Sequence, residues 1–387
     1  MTAPLHAAHP HRKGPLLTRI FIDNYRTFEG FTWRPERVAI VMGRNGSGKS
    51  SLFDLLYALC ALVSGDGTVV TCFPAGSRSR WSTRPEQILE LEVEIPAGTF
   101  IYRLEIVHGQ ESHIGREVLR TATETLFEFE DGVVRLHDDV GNKKVEFKAN
   151  SKQSGLGLVV ADASNTRLTA FKQWLAGVLV VRPNPATMDG RAPIENPRLV
   201  RDLANFASWY RYAQLKQPND IAGAVAAFAE IVPRFRSMSM PVDEQRVGWL
   251  RAHFDGPDGN PYTLRFEELS DGQRVLFALY TILHTEGRGA RTVALDEPDN
   301  FVALEEIQPF LFELLDRALA DEGSQILIAS HHPEYLDQLA PAYGWVVDRP
   351  SGGASVVGRF KADVAISTSA LVARGGLSAD RGDGAGA

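Results

Sequence analysis

The spacing of hydrophobic and polar positions changes repeatedly along this chain, and each change predicts a different element. LTRIFIDNYRTF alternates enough to be a strand, and RVAIVMG, residues 37–43, is a short continuous apolar run typical of a strand buried on both faces. From Lys49 to Leu62 the apolar residues Leu52, Phe53, Leu55, Leu56, Leu59 and Leu62 fall nearly all round a helix, which predicts burial on several sides. Between about residues 88 and 148 the period becomes two: ILELEVEI puts Leu89, Leu91, Val93 and Ile95 on one face and Glu90, Glu92 and Glu94 on the other. FIYRLEIV, TLFEFEDGVVRLHDD (turning at Asp131-Gly132) and KKVEFK extend the pattern into an antiparallel sheet of hairpins. Residues 165–235 turn helical, with Pro197 expected at the first position of a helix reaching about Leu215 and a second helix from Asp220 to Val232, stopped by Pro233. After residue 262, RVLFALYTIL, RTVALDEP, EEIQPFLFELLDRAL and SQILIASHHPEYL alternate helix with apolar strand, the pattern of a parallel sheet covered by helices. No internal repeat or sustained heptad interrupts this order.

Composition narrows the picture only a little. With 387 residues, 44% hydrophobic and 23% charged, the chain is long enough for a sizeable core, and its net charge of -7 argues against a global pull toward nucleic acid. Cys60 and Cys72 offer neither a disulfide framework nor a zinc site, and no apolar run approaches a membrane span, so a soluble cytoplasmic protein is expected. Residues 1–16, rich in Ala, His and Pro, and the Gly/Ala/Ser-rich residues 363–387 are expected to be flexible tails; His6, His9 and His11 read as part of a solvated segment.

Candidate chemistry begins at Gly43-Arg44-Asn45-Gly46-Ser47-Gly48-Lys49-Ser50, which fits G-x-x-x-x-G-K-[ST] between a buried strand and a helix. The glycines let successive N–H groups face phosphates, the helix N-terminus adds its dipole, Lys49 reaches the β and γ phosphates, and the Ser50 hydroxyl ligates Mg²⁺. TVALDEPDN ends a strand on Asp296 and Glu297 at the sheet edge where such loops sit: Asp296 would hold the Mg²⁺ shell and Glu297 polarise an attacking water. A helix cap before Pro298 is the alternative for that pair, and the neighbouring phosphate loop makes it the weaker one. SHH closes the next strand; His331, first after it, is the better placed to bond the γ phosphate, and His332 competes for the role. LSDGQR, residues 269–274, puts Ser270 and Gly272 at a helix start, with Asp271 as its cap, which is either an ordinary capped helix or a second anion site.

The order phosphate loop, LSDGQ, LDEP, SHH resembles that of the ABC ATPase superfamily, and more narrowly the heads of the SMC, RecF and OLD group, above all short OLD-like predicted AAA-type ATPases. IFIDNYRTFEGF looks like that group's strand and turn before the loop, EPDN like its E-P-E-N, and SHHPEYL like its T-H-S-P-x-x-L. The resemblance implies an α/β P-loop NTPase over residues 17–362 with a mixed, largely parallel sheet, an antiparallel β subdomain (88–148) and a helical signature lobe (165–262). It implies nucleotide contacts from Arg26, Thr27, Asn45, Gly46, Ser47, Gly48, Lys49, Ser50 and Ser51, with ATP and Mg²⁺ as cofactors. In such heads two copies clamp two ATP molecules, so Ser270, Gly272 and Gln273 would act in trans and residues 299–303 would cross the dimer seam. Lys49, Glu297 and His331 become the catalytic set, and Ser50 and Asp296 the metal ligands.

Asp271 stands where many transporters have glycine, and Arg182 and Asn184 of VVRPNP stand where a Q-loop glutamine is expected. Lacking a long coiled coil and a CxxC hook, and with too little chain after His331 for a nuclease domain, the protein reads as an ATP-driven homodimeric switch in nucleic-acid transactions. Phage defence or DNA repair, through a separate effector such as a nuclease, is the expected setting. Nucleic-acid contact is supported locally only by SRSRWSTR, residues 77–84, and by Arg198, Arg201 and Arg211 near Trp209, Tyr210 and Tyr212, for which a solvated loop and a helical core are the plainer readings. The alternatives are a transporter's nucleotide-binding subunit, whose S-A-L-D loop is absent, and an ATP-binding regulatory scaffold with little turnover.

Overall fold

The computed structural model describes residues 14–286, 291–320, 323–331 and 333–361. The expected tails at 1–16 and 363–387 fall almost wholly outside these residues, as does His332; Leu16 already begins a strand. The centre is a six-stranded sheet in the order Leu179–Val181, Thr292–Asp296, Gln325–Ala329, Val38–Met42, Gly344–Asp348 and Val356–Arg359. The first five strands pair in parallel and the last antiparallel. Its apolar runs are explained by burial on both faces. Val38, Ile40 and Met42 enter one core cluster and Ala39 and Val41 the other, and Ile326 and Ile328 part from Leu327 and Ala329 in the same way.

One face of the sheet is covered by the helix Lys49–Ser64, whose Leu52, Phe53, Leu55, Leu56, Leu59 and Leu62 are buried between the parallel sheet and a second, eight-stranded sheet. That second sheet runs Phe31–Trp33, Leu16–Asp23, Glu86–Ile95, Gly98–Val107, His113–Arg120, Thr125–Glu130, Val133–His137 and Lys143–Lys148, all antiparallel. It is therefore larger than the region expected from residue 88 onward. Leu16–Asp23 and Phe31–Trp33 belong to it, and so does His113–Arg120, whose buried Glu117 breaks the alternation that makes its neighbours legible.

Glu117 is fully enclosed. Its carboxylate accepts hydrogen bonds from the Tyr102 hydroxyl (2.7 Å), Ser154 Oγ (2.6 Å) and the backbone N–H groups of Gly155 (2.8 Å) and Leu156 (3.3 Å). Burial pushes its carboxyl up, against those four donors. The Gly155 and Leu156 N–H groups can only donate, so an amide must turn its nitrogen to the two hydroxyls, whose own O–H groups then lose the acceptor they share. Glu117→Gln should lower stability by about 2 kcal/mol or more in a denaturant titration; an unchanged midpoint would show that the cluster relaxes freely.

The other face carries the helices Phe206–Lys216, Pro218–Ile231, Asp271–Glu286 and Leu304–Leu319. Two expectations are corrected here. Pro197 does not open a helix: residues 193–205 are irregular, and the helix begins only at Phe206. Nor is 165–262 a purely helical lobe. Leu179–Val181 joins the central sheet, and Phe235–Ser239, Arg251–Asp255 and Pro261–Arg265 form a separate antiparallel sheet. The separate strands are short, and the first and last are largely exposed, so no long hydrophobic alternation announces them.

Candidate functional site

Three parallel strands end at one edge of the central sheet, where Val41 pairs with Ala329 and Ala329 with Asp296. The phosphate loop, the acidic pair and the Ser330-His331 step all emerge there, as expected for ligand sites of open α/β sheets. The loop is held by geometry only glycine allows. Gly43 has φ +150° and passes the strand Gly344–Asp348 so closely that a Cβ would lie 2.1 Å from the Val347 carbonyl oxygen. Gly48 has φ +111°, and a Cβ there would lie 2.8 Å from Thr27 Oγ1. Lys49 Nζ donates to the carbonyls of Gly43 (2.7 Å) and Arg44 (3.2 Å), and its burial pushes the ammonium down to about 8. Ser47 Oγ is buried and has no hydrogen-bond partner among the described residues. A buried lysine, an orphaned hydroxyl and a helix N-terminus on one loop make a donor-rich cradle suited to a polyphosphate.

Asp296 is fully buried. Ser50 Oγ donates to its Oδ1 (3.2 Å), Arg201 Nη2 to its Oδ2 (2.7 Å), and Arg182 Nε lies 3.8 Å from Oδ2. Burial pushes its carboxyl up, and the two guanidinium groups pull it back. A hydroxyl and a carboxylate at this spacing are hard oxygen donors of the kind that would suit Mg²⁺. No group of three or more His, Cys, Asp or Glu among the described residues would hold a metal by itself.

Glu297 takes φ +53°, uncommon for a residue with a side chain. Its Oε2 accepts from Asn300 Nδ2 (2.9 Å) and Arg182 Nη2 (3.3 Å), and its Oε1 lies 3.4 Å from His331 Nε2. Burial and the nearby Lys49 hold His331 below its usual value, so the ring is neutral at pH 7. Ser330 Oγ donates to Asp299 (2.8 Å), tying the histidine strand to the loop after the acidic pair. Beside Glu297 opens a cleft of about 480 Å³ lined by Tyr57, Arg182, Asn184, Arg201 and Asn300.

The remaining expected contacts fall at different distances from this centre. Thr27 packs on the loop through Ser355, whose Oγ donates to the Ser47 carbonyl (2.6 Å) and shares a 2.7 Å hydrogen bond with Thr27 Oγ1. Arg26 donates to Ser51 Oγ (3.2 Å) and pairs with Asp54, so its side chain lies against the first turns of the helix after the loop, where Ser51 sits. Asn45 and Gly46 form the loop's outer rim; Gly46 takes φ +78°.

At LSDGQR the cap is corrected. Asp271 is the first helical residue, and Ser270 is the cap: its Oγ accepts from the Gln273 N–H while Gln273 Oε1 accepts from the Ser270 N–H, each at 3.2 Å. Asp271 pairs instead with Arg274, which also donates to the carbonyls of Pro185 (2.7 Å) and Met188 (3.1 Å). A Cβ on Gly272 would lie 2.7 Å from the Phe301 carbonyl oxygen, so the signature turn abuts its own chain's 299–303 loop. Among the described residues no hydrogen bond or ion pair joins Ser270, Gly272 or Gln273 to the phosphate loop of the same chain.

Most of the basic and aromatic residues singled out in the lobe pack or pair within the chain. Trp209 and Tyr210 are buried, Arg211 donates to the carbonyls of Ala192 and Arg246, Arg198 pairs with Asp66, and Arg201 serves the acidic centre. Sequence reasoning thus missed what Arg201 and Arg182 do. Arg182 follows Val181, which pairs with Leu295, and its N–H donates to the Arg201 carbonyl at 2.8 Å. Strand pairing therefore delivers both guanidinium groups to Asp296, together with Asp54, which pairs with Arg201. Only the apolar run LVV before Arg182 signals any of this.

Comparisons with solved structures give the same fold. The chain is 13% identical to an Smc head bound to the C-terminal winged-helix domain of ScpA, covering 90% of this chain and 99% of that one with a TM-score of 0.56. It is 12% identical to a Pyrococcus furiosus Smc head with an extended coiled coil bound to the C-terminal domain of ScpA, covering 89% and 96% with a TM-score of 0.52. No curated protein matches it in sequence. Among the described residues no helix is long and apolar enough to cross a membrane. The family described as "AAA domain, putative AbiEii toxin, Type IV TA system" matches residues 38–337, from the strand before the phosphate loop to the helix after His331. With that span matched and the SMC-head fold around it, the chain belongs to this family of AAA-type P-loop ATPase domains.

Proposed function

We propose that this protein binds and hydrolyses ATP as a dimer closed around two ATP molecules, and that the cycle controls a separate effector. The observation that carries the reading is the convergence of Lys49, Ser50, Asp296, Glu297 and His331 from three strand ends on one phosphate loop. The loop's N–H groups and Lys49 hold the β and γ phosphates, and Ser50 and Asp296 hold Mg²⁺, which when bound neutralises phosphate charge. Glu297 takes the proton of the attacking water, and neutral His331 orients that water and the γ phosphate. Ser270, Gly272 and Gln273 meet the ATP held by the second copy. The self-contained capping of that turn, with Ser270 exposed, favours this arrangement.

The family description, a putative toxin of a toxin–antitoxin system, and the ScpA-bound Smc heads favour a protein partner as the responding element. Antiviral defence and nucleic-acid transactions, DNA repair included, fit such a switch. A second reading, a nucleotide-binding scaffold with little turnover, is favoured by one observation: Arg182 occupies Glu297 and Asp296 from the same chain. Light scattering of the Glu297→Gln protein should show a dimer with saturating Mg²⁺–ATP and a monomer without nucleotide. A monomer under both conditions would sink the clamp.

A further inference from the structure

Two guanidinium groups reach the acid pair, and they are held very differently. Arg201 is half-buried and pinned: its Nη2 donates to Asp296 Oδ2 at 2.7 Å, the same side chain pairs with Asp54, and its carbonyl accepts the Arg182 N–H at 2.8 Å. Arg182 keeps 47% of its side chain exposed and makes only longer approaches, Nε 3.8 Å from Asp296 Oδ2 and Nη2 3.3 Å from Glu297 Oε2. Its backbone is fixed beside the pairing of Val181 with Leu295, so freedom to move belongs to the side chain, which borders the cleft of about 480 Å³. Arg201 is a fixed counter-charge, and Arg182 a movable one with open space next to it.

The carboxylate oxygens are divided between partners. Asp296 turns Oδ1 to the Ser50 hydroxyl (3.2 Å) and Oδ2 to the arginines. The Ser50 side, where a metal would be shared, is therefore not blocked by a guanidinium. What Arg182 opposes there is charge, since two cations on one carboxylate weaken each other's hold. Glu297 has His331 Nε2 3.4 Å from Oε1, with Arg182 and Asn300 on Oε2 (3.3 and 2.9 Å), so neither oxygen is left to a water alone. One side chain thus touches the metal-side acid and the general base together.

We infer that Arg182 is a positioning latch on the acid pair, a tethered cation that competes by charge with the divalent cation and uncovers Glu297 once that cation is seated. Arg201 is pinned between two carboxylates, so Arg182 is the group that withdraws when positive charge is added at Ser50 and Asp296. Glu297 then stays covered until metal and nucleotide are both in place. The inference rests on the reading of this centre as an ATP and Mg²⁺ site.

The test measures, by calorimetry on the full chain, the affinity for the β,γ-imido analogue of ATP at saturating Mg²⁺ and again in EDTA; the ratio of the two reports what the metal adds. Arg182→Ala should raise that ratio roughly tenfold, because the carboxylates lose a charge that opposes the metal, and Arg182→Lys, which keeps the charge, should bring it most of the way back. Arg198→Ala, which removes an arginine paired with Asp66 outside this centre, should leave the ratio unchanged. A ratio unmoved or lowered by Arg182→Ala would make the arginine a structural support and overturn the latch. If the analogue binds under neither condition, the ATP reading fails and the latch with it. If it binds with a ratio indifferent to Asp296→Asn, the metal reading fails, again taking the latch along. A ratio that depends on Asp296 but not on Arg182 would sink the latch alone.

Discussion

Glu297→Gln should cut steady-state ATP turnover by about 10²–10⁴-fold, the range for losing a positioned general base, while ATP binding survives. The side chain keeps its length and can still accept from Asn300 Nδ2, so the loop geometry is preserved. What is lost is the ability to take a proton, along with the charge facing Arg182 and His331. The strained φ +53° makes the position tell twice. A carboxylate is held in an uncommon conformation where Arg182, Asn300 and His331 over-determine it, and strain of that kind concentrates at functional sites. Turnover and ATP affinity are to be measured on the same preparation. Unchanged turnover would remove Glu297 from the chemistry and leave the scaffold reading in possession.

Mixing two inactive proteins should restore activity. On the shared-site proposal, Lys49→Ala removes the ammonium that would hold phosphate and Ser270→Arg puts a bulky cation where the opposing nucleotide would be received, so each homodimer should be inert. In a mixed dimer one site combines both defects, and the other combines the intact phosphate loop of one copy with the intact signature turn of its partner. Random exchange at equal concentrations then leaves about a quarter of all sites complete. Ser270 is exposed, and replacing it sacrifices a cap worth about 1 kcal/mol, so the variant should fold. Hydrolysis near a quarter of the native rate supports sites shared between copies. No recovery from two folded, exchanging variants would place Ser270 outside the reaction.

The two experiments separate what the site's halves do. A result in which Glu297→Gln behaves as expected but mixing restores nothing would keep the hydrolytic centre and discard the shared clamp. Arg182 and Arg201 then become the natural candidates for stabilising phosphate charge within one chain, since both already lie at Asp296.

Local sequence carried the phosphate loop, the acidic strand end and the histidine step, because each is a short apolar run followed by chemistry. A parallel strand buried on both faces has no other way to be written, and a loop that curls around phosphates needs glycine where φ is positive, as at Gly43, Gly46 and Gly48. The amphipathic hairpins from about residue 88 to 148 were legible for the same reason, a two-residue period over long strands, except at His113–Arg120, where buried Glu117 interrupts it. The helix expected at Pro197 misread a stretch whose conformation is set by partners far away: the Arg182 N–H bonds to the Arg201 carbonyl and the Asn184 N–H to that of Asp202.

Long-range pairing explains the rest. Arg201 looked like a surface arginine near aromatic residues; it lies half-buried between Asp54 and the fully buried Asp296, partners 147 and 95 residues away. Ser355 joins Thr27 to the phosphate loop across 328 residues. Period and motif are properties of neighbouring residues, so they are written locally. The partner of a charge or a hydroxyl at the sheet's edge depends on which strands pair, and packing sets that over the whole chain.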